Sequence, residues 1–267
     1  ETNLLRALAL RRAHATPPDP ATAEVLFQLG TLREFQGRWA DAEAGFREAA
    51  DIRARALGAG HRDAVTAGAK AALNRARRLP ATEAEPLLRR AAEDVGRVIG
   101  PEHHVARAAL YQLGELHLAA GRFAEAYALY AETRRLSAEE EGEASHGVLN
   151  SLAMMAVTRA RQGNLAEADA AFREVIVLRA RHTGAGHLFT LQARLQRVQA
   201  VLLPQRRFAE AADELRQVRV VALTGPPAQR VPIAEALEAM LAAWAAAGGG
   251  PEYEAFRQEM RAGGKRP

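Results

Sequence analysis

Apolar residues recur along this chain at three- and four-residue intervals and almost nowhere in strict alternation. Val25, Leu26, Leu29 and Leu32 form one such stripe, which predicts an amphipathic helix from Ala21 to about Gln36. Gly37-Arg38 breaks the pattern. A second helix is predicted from about Ala40 to Leu57. Gly58 then closes it, because a residue without a Cβ enters the left-handed backbone conformation of a helix end at little cost. Helix–turn–helix pairs of this kind follow one another down the chain, and no stretch reads as a strand.

The pairs are periodic. The segment GRWADAEAGF from Gly37 returns as GRFAEAYALY from Gly121, GNLAEADAAF from Gly163, RRFAEAADEL from Arg206 and a worn GPEYEAFRQE from Gly250. Its central alanine gives the markers Ala42, Ala84, Ala126, Ala168, Ala211 and Ala255, in steps of 42, 42, 42, 43 and 44. Gly58, Gly100, Gly142, Gly184 and Gly225 form a second, phase-locked series, and His61, His103 and His187 follow three of them. A fixed period of this length decides the architecture before any local pattern does. The small residues Gly30, Gly114, Ala42, Ala126 and Ala168 let paired helices approach. Phe46, Leu88, Tyr130, Phe172 and Leu215, each four residues after a marker, fill the space between repeats. A helix pair of this kind cannot bury its apolar face alone, so neighbours must stack.

Local variations interrupt the pattern without marking domain boundaries. Arg77-Arg78-Leu79-Pro80 replaces the glycine turn of the second repeat, and Pro86 is expected in the first turn of the helix that follows, where proline is tolerated. Pro204 is expected to end the first helix of the fifth repeat early. Arg6 to Arg11 aligns with Glu48 to Arg53 one period later, so the chain is expected to open inside a repeat as a fragment of a longer array. Gly263-Gly264-Lys265-Arg266-Pro267 reads as a frayed terminus.

These residues resemble the tetratricopeptide consensus in the small residue at Gly30 or Gly114, the marker alanine and the Phe or Tyr four residues on. The 42-residue length, the stretch EAEPLLRRA from Glu83 and the linkers LGAGH at Leu57 and IGPEH at Ile99 are similar to the kinesin-light-chain subtype of that family. The resemblance implies an all-α, right-handed α-solenoid of tandem helix–turn–helix repeats. It makes 1–267 a single repeat domain, with 1–17 the last helix of a truncated preceding repeat. The repeats are expected at about 21–62, 63–104, 105–146, 147–188, 189–231 and 232–262.

Such stacking creates a concave inner wall lined by the first helix of each repeat. Counting back from each turn, the family's inward positions fall on Phe27, Gln28, Thr31, Lys70 and Arg77. They continue through Tyr111, Gln112, Glu115, Asn150, Met154, Arg161, Gln196 and Arg197. Amides, two aromatics and several cations at these positions suit a peptide or protein ligand, and the cations suit an acidic one. The Lys, Asn, Asn, Lys, Arg set of the family's chaperone-tail binders is not matched, since repeats one to three offer Phe27, Thr31, Lys70, Ala108 and Gln112. The asparagines of the kinesin-light-chain groove are replaced by Gln28, Lys70, Gln112, Met154 and Arg197, so kinesin cargo binding does not transfer.

Composition narrows the chemistry. Apolar residues make up 48% of the 267, few of them aromatic or β-branched, which favours a helical globular protein. No run reaches the roughly 20 apolar residues of a membrane span, and no signal peptide is visible, so a soluble, cytoplasmic chain is expected. With no cysteine there is no disulfide, thiolate metal site or cysteine nucleophile. The linker histidines lie one repeat apart and cannot converge on a metal ion, which leaves them a structural role, and no His-Glu-x-x-His motif occurs. No phosphate-binding loop and no nucleophile elbow is present, so neither catalysis nor a cofactor is expected. The net charge of +4 comes almost wholly from Arg, and together with the Ala content suggests a high-GC bacterial source. Most aromatics sit at packing positions, which argues against nucleic acid. Glu139-Glu140-Glu141 with Glu143 reads as a solvated helix end, or else as a patch for a basic partner.

The function expected from this is a protein-interaction scaffold and not an enzyme. By resemblance, it would be the repeat region of a larger bacterial regulatory protein, with a Ser/Thr protein kinase or transcription regulator domain fused upstream. The alternatives are a substrate-recruiting arm for a catalytic domain upstream and a helical-repeat reader of nucleic acid.

Overall fold

In the computed structural model, which describes residues 1–14 and 19–262, the chain is helical almost throughout and has no strand among the described residues. The tail from Gly263 and the end of the segment expected at 1–17 lie outside them. The chain falls into two compact units, 1–143 and 144–267. In the first, α1 (Thr2–His14) is followed by the pairs α2 (Pro20–Phe35) with α3 (Trp39–Leu57), α4 (Arg62–Ala76) with α5 (Ala81–Val98), and α6 (His104–Ala119) with α7 (Phe123–Glu141). The second holds α8 (His146–Arg161) with α9 (Leu165–Thr183), α10 (Leu188–Arg197) with α11 (Phe208–Thr224), and α12 (Pro227–Ala246) with α13 (Pro251–Ala262). Each unit is thus an all-α, solenoid-type stack of helix–turn–helix repeats.

The packing follows the periodic residues. Ala42, Ala84, Ala126, Ala168 and Ala211 are fully buried, as are Phe46, Tyr130, Phe172 and Leu215. A Cβ on Gly30 would stand 3.0 Å from the Phe46 ring and one on Gly114 would stand 2.7 Å from Tyr130, so these glycines are required by close approach. The linker histidines cap helices: Nδ1 of His61, His103 and His187 accepts the amide of Asp63, Val105 and Phe189, at 3.2, 3.4 and 3.4 Å. This satisfies one of the orphan amides of each helix start. Ser145 holds the same place before α8. Gly58, Gly142 and Gly184 have φ of 96, 88 and 101°. Gly225 departs from the series with φ of −69°. It is glycine for space, since a Cβ there would meet the Val221 carbonyl at 2.5 Å.

Within each unit, polar residues join neighbouring repeats. Arg53 bonds Glu24 at 2.7 Å and the Asp63 carbonyl at 3.3 Å. Three periods later the equivalent Arg179 bonds Asn150 at 2.5 Å and the Phe189 carbonyl at 2.6 Å. The acid after the marker alanine pairs with the arginine of the following turn in Glu43–Arg78, Glu85–Arg122 and Asp169–Arg207. Arg122 and Arg89 hold the Glu85 carboxyl down at about 2, against partial desolvation. Glu140 and Glu141 of the acidic run both pair with Arg107, which is buried in α6 and requires counterions.

Three local expectations change. Pro86 lies beyond the first turn of α5, because that helix already starts at Ala81. The first helix of repeat five does not end early. His187 and Arg207 are one residue further apart than His103 and Arg122, and the extra residue is absorbed by a π-helix, Val198–Leu202, in which the Leu203 amide reaches the Val198 carbonyl at 3.0 Å. In the last pair, Ala255 is exposed and the neighbouring Phe256 is buried against Trp244, at 5.9 Å between ring centroids.

Candidate functional site

Within the first unit, the ends of α4 and α6 and the starts of α3 and α5 surround an open pocket of 270 Å³, lined by Trp39, Ala76, Arg77, Leu79, Leu88, Gln112, Glu115 and Leu116. Three residues expected on the inner wall, Arg77, Gln112 and Glu115, meet here. The Arg77 guanidinium lies 4.7 Å from the centre of the Trp39 ring, a cation–π distance. Gln112, with its amide oxygen turned to Arg77, accepts from it at 3.1 Å and donates to the Leu73 carbonyl at 3.3 Å. No carboxylate lies within ion-pair distance of Arg77 among the described residues. Glu115 is open to solvent yet crowded by protein, as at the floor of a concavity. Burial raises its pKa, partly offset by Arg77. The pocket therefore offers an apolar lining of leucines, an indole face, one cation and one carboxyl. Polar recognition of an extended chain with an apolar anchor is what such a surface can do.

The other residues expected on the inner wall of this unit have partners within the fold. Phe27 stands edge-on to Phe46 at 5.1 Å with Arg53 over its ring at 4.7 Å, and so belongs to the core between its own helices. Tyr111 packs likewise on Tyr130 at 5.4 Å. Lys70 is consumed by an ion pair with Glu34. Gln28 is exposed and donates to Glu24 at 3.0 Å, and the Thr31 hydroxyl donates to its own helix at the Phe27 carbonyl.

In the second unit the expected residues are placed differently from one another. Arg197 is 5% exposed and is bonded to Asp169 and Glu214, both at 2.6 Å. Counting back from the turn misplaces it by one residue, because the π-helix lies between. Counted forward from the His187 cap, Arg197 stands at the position of Leu29, Ala71 and Leu113, all buried. Asn150 is the acceptor for Arg179 and contacts His146 at 2.7 Å. Met154 and Gln196 are half-buried, and the Gln196 amide oxygen is enclosed. Arg161 is exposed and has no carboxylate partner among the described residues.

Trp39 and Leu79 were legible only as packing and turn residues. Phe35, 86% exposed, was missed as well, although the 42-residue spacing places it at the repeat position of Arg77. Among the described residues no group of acids and histidines could hold a metal ion, and no helix is long and apolar enough to cross a membrane.

Comparison with known proteins bears on the fold. Tetratricopeptide-repeat family models match residues 106–181 and 23–63. Among solved structures, the chain is similar to the putative kinesin light chain of Podospora anserina, crystallised for its nearly identical TPR-like repeats, at 20% identity and a TM-score of 0.57, covering 76% of this chain and 96% of that one. It is also similar to BtubC (BKLC) from P. vanneervenii, at 18% identity and a TM-score of 0.56, covering 99% of this chain and 89% of that one. No curated protein matches. With the repeat period, the cap-to-turn geometry and these matches in agreement, residues 23–63 and 106–181 are tetratricopeptide repeats and the chain has the fold of the kinesin-light-chain-like repeats.

Proposed function

We propose that this chain is a non-catalytic protein-interaction scaffold that holds a segment of a partner protein against the inner wall of its first unit, centred on the pocket between Trp39, Arg77, Gln112 and Glu115. Tetratricopeptide repeats generally serve as protein-interaction modules, which supports the class of function. The observation that carries the location is the meeting of Arg77, Gln112 and Glu115 over a leucine floor, with Arg77 facing no carboxylate of its own. A segment with an apolar anchor and an adjacent carboxylate suits it: the anchor enters beside Leu79, Leu88 and Leu116, and the carboxylate meets Arg77 in a charge-assisted bond. Glu115 disfavours a second negative charge close by, so the ligand is sparingly acidic and not polyanionic. A cytoplasmic setting within a larger bacterial regulatory protein, with an effector domain upstream, remains part of the proposal on the strength of the repeat type.

The test is a photo-crosslinkable residue at Gln36, beside Phe35 and Trp39, used to identify partners in the source cells, followed by titration of the captured segment. Trp39→Ala and Arg77→Ala are each expected to weaken binding by ~2 kcal/mol, with affinity falling as salt rises. Wild-type affinity in both variants would sink the assignment.

A further inference from the structure

A second crevice lies between α4 and α5 of the first unit, bounded by Ala59, Val65, Gly68, Ala69, Ala72, Leu87, Arg90, Ala91 and Asp94, with a volume of 360 Å³. Two stripes face each other across it, Val65, Gly68, Ala69 and Ala72 on α4 and Leu87, Arg90, Ala91 and Asp94 on α5, each at the spacing of a single helix face. The period shows what is missing. At the repeat position of Gly68 the first, third and fourth repeats carry Leu26, Leu110 and Leu152, and beside it, at Ala69, the first and third carry Phe27 and Tyr111. Leu26 is buried, and Leu110 and Leu152 pack against the cores of their units. A Cβ on Gly68 would meet nothing within 4 Å, so no close approach of backbone requires glycine there. Glycine in a helix interior lowers stability relative to alanine or leucine. The second repeat therefore keeps an unfavourable residue and leaves an apolar gap where its neighbours are filled.

The rim is charged unevenly. Asp94 is held by Arg97 at 2.7 Å, whereas Arg90 reaches it only at 3.4 Å, with 83% of the Arg90 side chain exposed. Arg90 is thus a cation beside the gap whose counterion is already engaged. Gly68 is two residues from Lys70 and so points to the other side of α4, and no residue that lines this crevice lines the pocket at Trp39 and Arg77.

We propose that this crevice is a second docking pocket, independent of the inner wall, that receives one leucine-sized aliphatic side chain from a partner peptide segment carrying a carboxylate within reach of Arg90. The incoming side chain takes the place that Leu26, Leu110 and Leu152 fill from within the chain in the other repeats.

The experiment is selection of binders from a phage-displayed random peptide library on the intact chain, followed by titration of the enriched peptides. Enriched peptides are expected to carry Leu or Ile with Asp or Glu within a few residues. Gly68→Leu, which fills the gap, is expected to weaken a class of them at least tenfold while raising the thermal midpoint, so that loss of binding is separated from loss of fold. Ala69→Leu, filling from the adjacent position, is expected to act in the same direction, and Arg90→Glu to weaken the same peptides. Arg77→Ala is expected to leave them unchanged, which separates this pocket from the inner-wall site. A library that yields no binder, or binders that all tolerate both Gly68→Leu and Ala69→Leu, overturns the proposal and leaves the inner-wall reading to its own test.

Discussion

The turn-side pocket of the first unit and the arginine cluster of the second are built from the same stock of residues and come out opposite. In the pocket, Arg77 lies on an indole face with no carboxylate of its own, and Glu115 sits at the floor with a raised pKa. In the cluster, Arg197 is buried and shares Asp169, Glu210 and Glu214 with Arg207, Arg194 and Arg173. Each cation there faces a carboxylate. The difference teaches that a cation at a family's inward position is available to a partner only if the neighbouring repeat has not supplied its counterion. Where the charges are satisfied internally, desolvation has been offset within the fold and removing one member leaves the others uncompensated.

That contrast can be broken at several points. The largest effect is expected for Arg197→Ala, which leaves buried Asp169 short of one partner and should cost ~3–5 kcal/mol in the denaturant unfolding of the whole chain. A wild-type midpoint would mean that the cluster is solvated and not structural. Ala126→Leu in the first unit comes next. Ala126 is fully buried where α6 and α7 meet, so the larger side chain should overpack the contact and cost ~1–3 kcal/mol by the same measurement. Arg77→Ala, by contrast, should change the midpoint by less than ~1 kcal/mol, the value of its contact with Trp39, because no carboxylate is ion-paired to it among the described residues. A large loss would show that Arg77 belongs to the fold and not to a binding surface.

The smallest effects are electrostatic and of opposite sign in the two regions. Burial pushes the Asp169 carboxyl up, but the bonds from Arg197 and Arg207 outweigh it and the net direction is down. A carboxyl depressed on folding contributes stability above its unfolded pKa, and this is lost as pH falls through the folded value. Glu115 is raised by burial, with Arg77 partly opposing. Ionising it on folding is disfavoured, so it costs stability at neutral pH and ceases to do so on acidification. Asp169→Asn should therefore lower the midpoint at pH 7 and flatten its decline toward acid, whereas Glu115→Gln should leave it equal or slightly higher, by within about 0.5 kcal/mol. Calorimetric scans of both variants between pH 3 and 7 would check the signs.

Much of this was legible because repetition turns one chain into several readings of the same position. The marker alanines and the bulky residue four positions on were readable as packing without any contact being known, since a small residue and a large one at fixed phase have few other uses, and the linker glycines were readable as helix ends. The histidines were readable as structural linker residues, but that they stand at helix starts and cap them through Nδ1 required the backbone geometry. Phe35 and Gly68 were also readable by period, one as an apolar residue at a cation's position and the other as a missing leucine. Exposure and an open crevice gave those departures meaning.

What the sequence by itself determined is the sequence of helix pairs, their turns, and which face of each helix is apolar, because these depend on local propensity and on a period that the chain repeats. Which polar residues are free was decided only by tertiary structure. Lys70, Asn150 and Arg197 look like ligands when counted along a helix, yet each is bound by a residue from another helix: Glu34, Arg179 and Asp169. A single inserted residue shows the reason most directly. Taken up as a π-turn, it rotates everything before it by one position relative to the turn, so the side chain that counting sends to the inner wall is sent by the backbone into the core.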